Sequence, residues 1–359
     1  MIPRALLLLA ATVVPVQSVW TLQSSGVTSR LRGVSAVSER IAWASGSGST
    51  ILRTADGGAT WTRLPSPSPD RLDYRDIDAV SETTAYALSI GNGPASRVFK
   101  TTDAGETWTP QFVATDERVF LDAMAFSTPE RGIVLGDSID GEFYFLTTDD
   151  GGASWTRIPP DRLPAALPGE GFFAASGTNV AVVGDRIWIG TGAAATSRVL
   201  RSSDRGRTWQ IADTPLASGT TSGIYSIAFR DARHGIVVGG DYSREAAAVD
   251  NAAITADGGA TWTLVPGLSG FRSVVAPVPG TATTWIAIGP SGSDVSTDDG
   301  RTWSSIEGPG FDTLSFAPGT GVGWAAGASG SIGKYARSLE VLRGPVRSSG
   351  VFRVLNEVR

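Results

Sequence analysis

The chain has no cysteine and a single histidine in 359 residues. Disulfides, thiol nucleophiles and Cys-ligated metals are thereby excluded, and a multi-histidine metal site cannot be assembled. Lysine occurs only at Lys100 and Lys334, so almost all positive charge is carried by arginine. Charged residues make up 18% of the chain and the net charge is -5. That acidic balance argues against nucleic acid as a partner. No apolar run reaches the length of a bilayer-spanning helix, and no segment has a convincing amphipathic helical period. What is abundant is glycine, 44 residues, and tryptophan, 11 residues. A chain this rich in aromatic planes and this poor in net charge folds.

Met1–Arg4 form a short positive segment, and residues 5–14 (ALLLLAATVV) form an apolar run. Val16-Gln17-Ser18 places slim residues where a signal peptidase reads. Residues 1–18 are therefore read as a cleaved secretory signal. The expected address is the bacterial periplasm or the extracellular space, with no stable membrane insertion after cleavage.

Internal periodicity is the strongest signal. The pattern Ser/Thr-x-Asp-x-Gly-x-Ser/Thr-Trp recurs six times, starting at Thr54, Thr101, Thr148, Ser202, Thr255 and Ser296. Its aspartates are Asp56, Asp103, Asp150, Asp204, Asp257 and Asp298, and its tryptophans are Trp61, Trp108, Trp155, Trp209, Trp262 and Trp303. Successive aspartates stand 47, 47, 54, 53 and 41 residues apart. Asp, Gly and hydroxyl residues within a few positions make a tight loop, whose N–H groups the carboxylate can accept. The glycine can take positive φ, and the Trp supplies a large plane between modules. These residues are structural on this reading.

Each module holds four short strand signals with turn residues between them. An alternating run such as Arg75-Asp-Ile-Asp-Ala-Val comes first, then a run ending in Gly such as Gly235-Ile-Val-Val-Gly. A third strand enters the box, and a fourth leaves it at the Trp. Four-stranded modules of this length predict propeller blades. The chain after residue 18 holds seven of them. The seventh has its first strands within residues 311–334 but no box, and Trp20-Thr-Leu-Gln-Ser matches the missing post-box strand. The reading is an all-β, seven-bladed propeller over residues 19–337, closed by its N-terminal strand in the last blade. Residues 338–359 form a C-terminal tail with no assigned role.

The boxes resemble the BNR/Asp-box repeat. The wider blade, carried best by residues 43–61 and 234–262, resembles the photosystem II assembly and stability factor family. The resemblance implies a propeller that acts by binding, with the box loops on the face opposite the binding mouth. Asp boxes also occur in sialidases, xyloglucanases and sortilin-type receptors, so the resemblance speaks to fold more than function.

A propeller's site lies where the innermost strands begin. One column of those runs collects Gly33, Asp76, Asp122, Phe173, Tyr225, Arg272 and Asp312, with Arg32 and Arg75 in the column before. The candidate binding residues are Arg32, Arg75, Asp76, Asp122, Tyr225, Arg272 and Asp312. They are expected to converge on an open channel mouth, flanked by loops 160–171, 213–222 and 241–251. No metal and no cofactor is expected. Gly190-Thr-Gly-Ala-Ala-Ala195 has dinucleotide-loop spacing but runs into strand rather than helix. His234 is read as a structural turn residue. The expected function is a non-catalytic, monomeric scaffold for a protein, peptide or glycan. The alternative is a sialidase-type glycosidase using mouth carboxylates, in which Tyr225 and Glu170 are the available nucleophile pair. Arg157-Ile158-Pro159 mimics a sialidase motif, but Arg63-Leu64-Pro65 stands at the same place after Trp61, which makes it a blade feature.

Overall fold

A computed structural model describes residues 19–336. Residues 1–18, read from the sequence as a secretory signal, and residues 337–359 lie outside the described residues. Seven four-stranded antiparallel sheets follow one another around a ring. Six sheets are sequential. The seventh takes its outermost strand from the N-terminus, where Trp20–Gln23 pairs with Ile332–Ala336 in the register Trp20 to Tyr335 and Gln23 to Ile332. Gln23 also clasps blade 1: its Oε1 accepts from Trp61 Nε1 and Trp324 Nε1, both at 3.1 Å. Among the described residues no helix is long and apolar enough to cross a membrane.

The core is not central. Seven apolar clusters each lie between consecutive blades, as the alternation of short strands requires. An eighth, small cluster joins Ala175, Tyr225 and Phe271 at the ring's mouth.

Each box is a closed local circuit. In blade 4, Asp204 Oδ1 accepts from Ser202 Oγ at 2.8 Å and from the Thr208 N–H at 2.9 Å, and Oδ2 accepts from Thr208 Oγ1 at 2.7 Å. The Gly206 N–H donates to Ser202 Oγ at 2.8 Å. Gly206 sits at φ +77°, and the other five box glycines lie between +79° and +89°. Asp204→Ala orphans these donors at a partly exposed loop and is expected to cost about 1 kcal/mol. Thermal unfolding checks this, and an unchanged Tm would remove the capping role.

Candidate functional site

The channel mouth is not open. Residues 172–178, just before blade 4, cross it and bond to every other blade. The Phe172 N–H donates to Asp137 Oδ1 in blade 3 at 2.9 Å. Arg75 Nη1 in blade 2 donates to the Ala174 carbonyl at 2.9 Å, and Arg32 Nη1 in blade 1 to the Ala175 carbonyl at 3.3 Å. Ser176 Oγ donates to the Ser273 carbonyl in blade 6 at 2.9 Å, and its own carbonyl accepts from Thr313 in blade 7 at 3.3 Å. Thr178 bonds Ser226 in blade 5 at 2.8 Å. A segment touching the inner strands on all sides fills the axis.

This corrects two expectations. Phe173 is not on an innermost strand; that strand in blade 4 is Val180–Val183, and Phe173 belongs to the plug. The column also does not share one direction. Blades 1, 2, 3 and 5 carry a register shift near the start of the inner strand, between Leu31 and Gly33, Tyr74 and Asp76, Leu121 and Ala123, and Ile224 and Ser226. A bulge sets two residues against one and re-aims the side chains beside it.

Above the plug lies a cavity of about 500 Å³. Phe172, Phe173, Ala174 and Ala175 line it from the plug, and Arg30, Arg32 and Arg75 from blades 1 and 2. Asp122 and Asp137 line the blade 3 side, and Asp312 the blade 7 side. Tyr242 and Glu245, from the 241–251 loop, complete the rim. The aromatic wall is ordered: Phe173 stacks on Tyr225 at 4.1 Å, and Phe271 meets Tyr225 edge-on at 4.6 Å. Tyr242 is 50% exposed.

Of the seven candidates, Arg32, Arg75, Asp122, Tyr225 and Asp312 line this cavity; Asp76 and Arg272 do not. Asp312 is held bidentately by Arg30 Nε and Nη2, both at 2.7 Å. Arg75 Nε is held by Asp73 at 2.9 Å. Tyr225 donates to the Thr221 carbonyl at 3.1 Å, and burial raises its phenol. Asp76 is buried beside Gly177 of the plug and accepts the Met124 N–H at 2.8 Å. Arg272 is fully buried and paired with Asp294, Nε to Oδ2 at 2.6 Å. Sequence reasoning missed Arg30, which lies just before the run it aligned, and reached Tyr242 only as part of the 241–251 loop.

Two buried atoms at the cavity wall lack a hydrogen bond. Arg32 Nε and Asp122 Oδ2 make no hydrogen bond among the described residues, although both are buried. Arg32 Nε stands 3.9 Å from Asp312 Oδ2, beyond hydrogen-bond reach. Burial lowers Arg32 to about 10, against the Asp312 charge, which raises it, and with the Arg75 and Arg30 charges adding to the fall. Burial, then the Asp137 charge, raises Asp122 well above the usual carboxylate range.

Glu170 is not available to Tyr225. Its Oε1 accepts from Arg198 Nε at 2.8 Å and Thr191 Oγ1 at 2.7 Å, and its Oε2 from the Leu167 N–H at 2.7 Å. Residues 190–195 form a turn in which Gly192 bridges Gly171 and Gly223. His234 Nδ1 lies 2.9 Å from Asp231 Oδ2 in its own turn. Among the described residues, no group of three His, Cys, Asp or Glu is placed to hold a metal.

Asp76, buried under the plug, and half-buried Asp78 two residues on predict a pH dependence. Burial, then the Asp78 charge, pushes Asp76 up to about 8, and burial pushes Asp78 up to about 6. A carboxyl raised on folding binds its proton more tightly in the native state. Stability therefore falls as pH rises from about 4, the unfolded value, through these native values. Asp76→Asn keeps an acceptor for Met124 and abolishes the titration. The Tm difference, variant minus wild type, should grow more positive from pH 5 to pH 8; a flat difference would contradict the assignment.

The fold and site define a seven-bladed propeller with a plugged, mixed-charge mouth. The chain belongs to the DUF6242 beta propeller domain family, which it matches over residues 15–267. No curated protein is significantly similar to it in sequence. Among solved structures it is similar to one described as YCF48 bound to D1 peptide, with TM-score 0.64, 15% identity, and 89% of this chain and 97% of that one covered. It is also similar to YCF48 from Cyanidioschyzon merolae, with TM-score 0.61, 17% identity and coverage of 88% and 98%. The GH74 xyloglucanase from Xanthomonas campestris gives TM-score 0.59 and 17% identity over 91% of this chain and 55% of that one. At these identities the likeness concerns the fold.

Proposed function

We propose that the protein is an exported, non-catalytic scaffold that holds a peptide segment of a partner protein in the cavity above its plug. The observation that carries this is the lining of the cavity, in which Arg32 and Arg75 stand on one side and Asp122 and Asp137 on another, beside an aromatic wall. A peptide unit offers both a carbonyl and an N–H to such a lining. The Tyr225, Phe271 and Tyr242 wall then takes an apolar side chain. A solved neighbour of the same fold is described as bound to a peptide. The Tyr225/Glu170 pair of the glycosidase alternative is not available, because Glu170 is spent on Arg198 and Tyr225 donates to the Thr221 carbonyl.

Selection from a random peptide display library tests the reading. Enriched peptides should lose binding to Tyr242→Ala and to Asp122→Asn, and keep binding to Asp204→Ala on the box loop. Failure to enrich any sequence, or enrichment indifferent to the two mouth variants, would overturn it. Export through residues 1–18 is part of the proposal. N-terminal sequencing of the mature protein, starting at Val19, is its check.

A further inference from the structure

On the box face, the joints between blades differ in one residue. One position after the residue paired with the box hydroxyl, blades 1, 2 and 4 carry Trp43, Tyr86 and Trp188. Each reaches the next blade's box. Tyr86 donates to the Gly151 carbonyl at 2.7 Å and Trp188 Nε1 to the Gly258 carbonyl at 2.9 Å. Trp43 meets Trp108 edge-on at 6.3 Å. Blade 3 has Ile133 at this position. Beside it a cleft of about 280 Å³ lies between blades 3 and 4.

The cleft has an apolar floor and a cationic rim. Ile133, Ile158, Val182 and Ile187 line its depth. Arg131, Arg157, Arg162, Arg205 and Arg207 converge on it from both blades, against Asp149 and Asp185. Arg205 is paired with Asp185 at 2.7 Å, Arg131 with Asp149 at 3.4 Å, and Arg157 with Glu142 at 3.3 Å. Arg162 and Arg207 form no ion pair among the described residues. The joint of blades 5 and 6 is a control within the same molecule. It carries Ile236 at the same position and an equal cleft, but Asp257, Asp299 and Arg301 give it no cationic excess. Residue size at this position does not set the cleft by itself, since the Trp43 joint of blades 1 and 2 has one of about 310 Å³ and blade 6 carries Ile286 there; the arginines of blades 3 and 4 distinguish this cleft.

We propose that the blade 3–4 cleft binds a small carboxylate with a compact apolar body. The carboxylate is taken by the Arg162 and Arg207 guanidinium forks, which match its geometry. The body rests on the isoleucine floor.

Ligand-observed NMR on the full chain, with 3-phenylpropionate at millimolar concentration, tests this. Binding should be saturable, weakened by salt, and stronger than that of inorganic phosphate or of uncharged 3-phenylpropanol. The double variant Arg162→Ala/Arg207→Ala should bind about tenfold more weakly. Ile133→Trp, which puts the bulk of an indole into the floor of the cleft, should weaken binding. Arg301→Ala, in the other cleft, should bind as wild type. Should Ile133→Trp misfold, the exposed arginine pair still decides. Absence of saturable binding, equal binding of the alcohol or of phosphate, or indifference to loss of both arginines would overturn the proposal.

Discussion

Arg272→Ala is expected to destabilise the protein by about 3–5 kcal/mol, the cost of leaving a buried charge without its partner. Arg272 and Asp294 are both fully buried. Arg272 Nε meets Asp294 Oδ2 at 2.6 Å, and its Nη1 donates to the Phe271 carbonyl at 2.8 Å and to Ser291 Oγ at 3.1 Å. Asp294 in turn accepts from Ser269 Oγ at 2.9 Å. The clamp ties the loop entering blade 6 to that blade's third strand. Denaturant unfolding of Arg272→Ala gives the loss. The double replacement Arg272→Met/Asp294→Leu should recover most of it, because a well-packed apolar pair is often no worse than a buried ion pair. A single variant as stable as wild type would show that the buried charges do not depend on one another. The sequence pattern placed Arg272 among the residues converging on an open mouth. Its burial reverses that expectation.

Gly177→Ala should dislodge the plug. Gly177 has φ +73°, and a Cβ there would come 2.3 Å from Asp76 Oδ1. Strain and overpacking act together, for a combined cost of about 2–4 kcal/mol. Gly319 separates the two effects, since its φ is +70° and a Cβ at that position would meet no atom within 4 Å. Gly319→Ala therefore carries the backbone strain alone, and the difference between the variants reports the collision with Asp76. Loss of the plug also removes the carbonyls of Ala174 and Ala175 from Arg75 and Arg32. Protease nicking within residues 172–178 should increase in Gly177→Ala and not in Gly319→Ala. Equal behaviour of the two variants would show that the plug does not depend on this contact.

The ring was readable because each box closes on itself. Thr54, Asp56, Gly58 and Thr60 satisfy one another within seven positions, so the pattern repeats in sequence wherever the loop repeats in space. The closing strand was readable for a related reason. Trp20 stands in the pattern of the post-box strands, and an unpaired edge in blade 7 needed a partner. The mouth was not readable in the same way. The inner-strand runs alternate convincingly, but the register shifts beside Gly33, Asp76, Ala123 and Ser226 break the alternation at the depth where the site begins. A shift leaves no distinct composition, so residues aligned in one column point to different places.

Sequence by itself thus determined the blade type, the number of blades and the strand that closes them, because these rest on hydrogen bonds and aromatic contacts between near neighbours or between repeats of one pattern. Only the tertiary structure decided what the mouth is made of. The plug is held by partners as distant as Arg32 and Ala175, 143 positions apart, and Thr313 and Ser176, 137 apart. Burial, which turned Arg272 inward and left Arg32 Nε and Asp122 Oδ2 unpaired, depends on how all seven blades meet around the axis, and no local pattern encodes that distance.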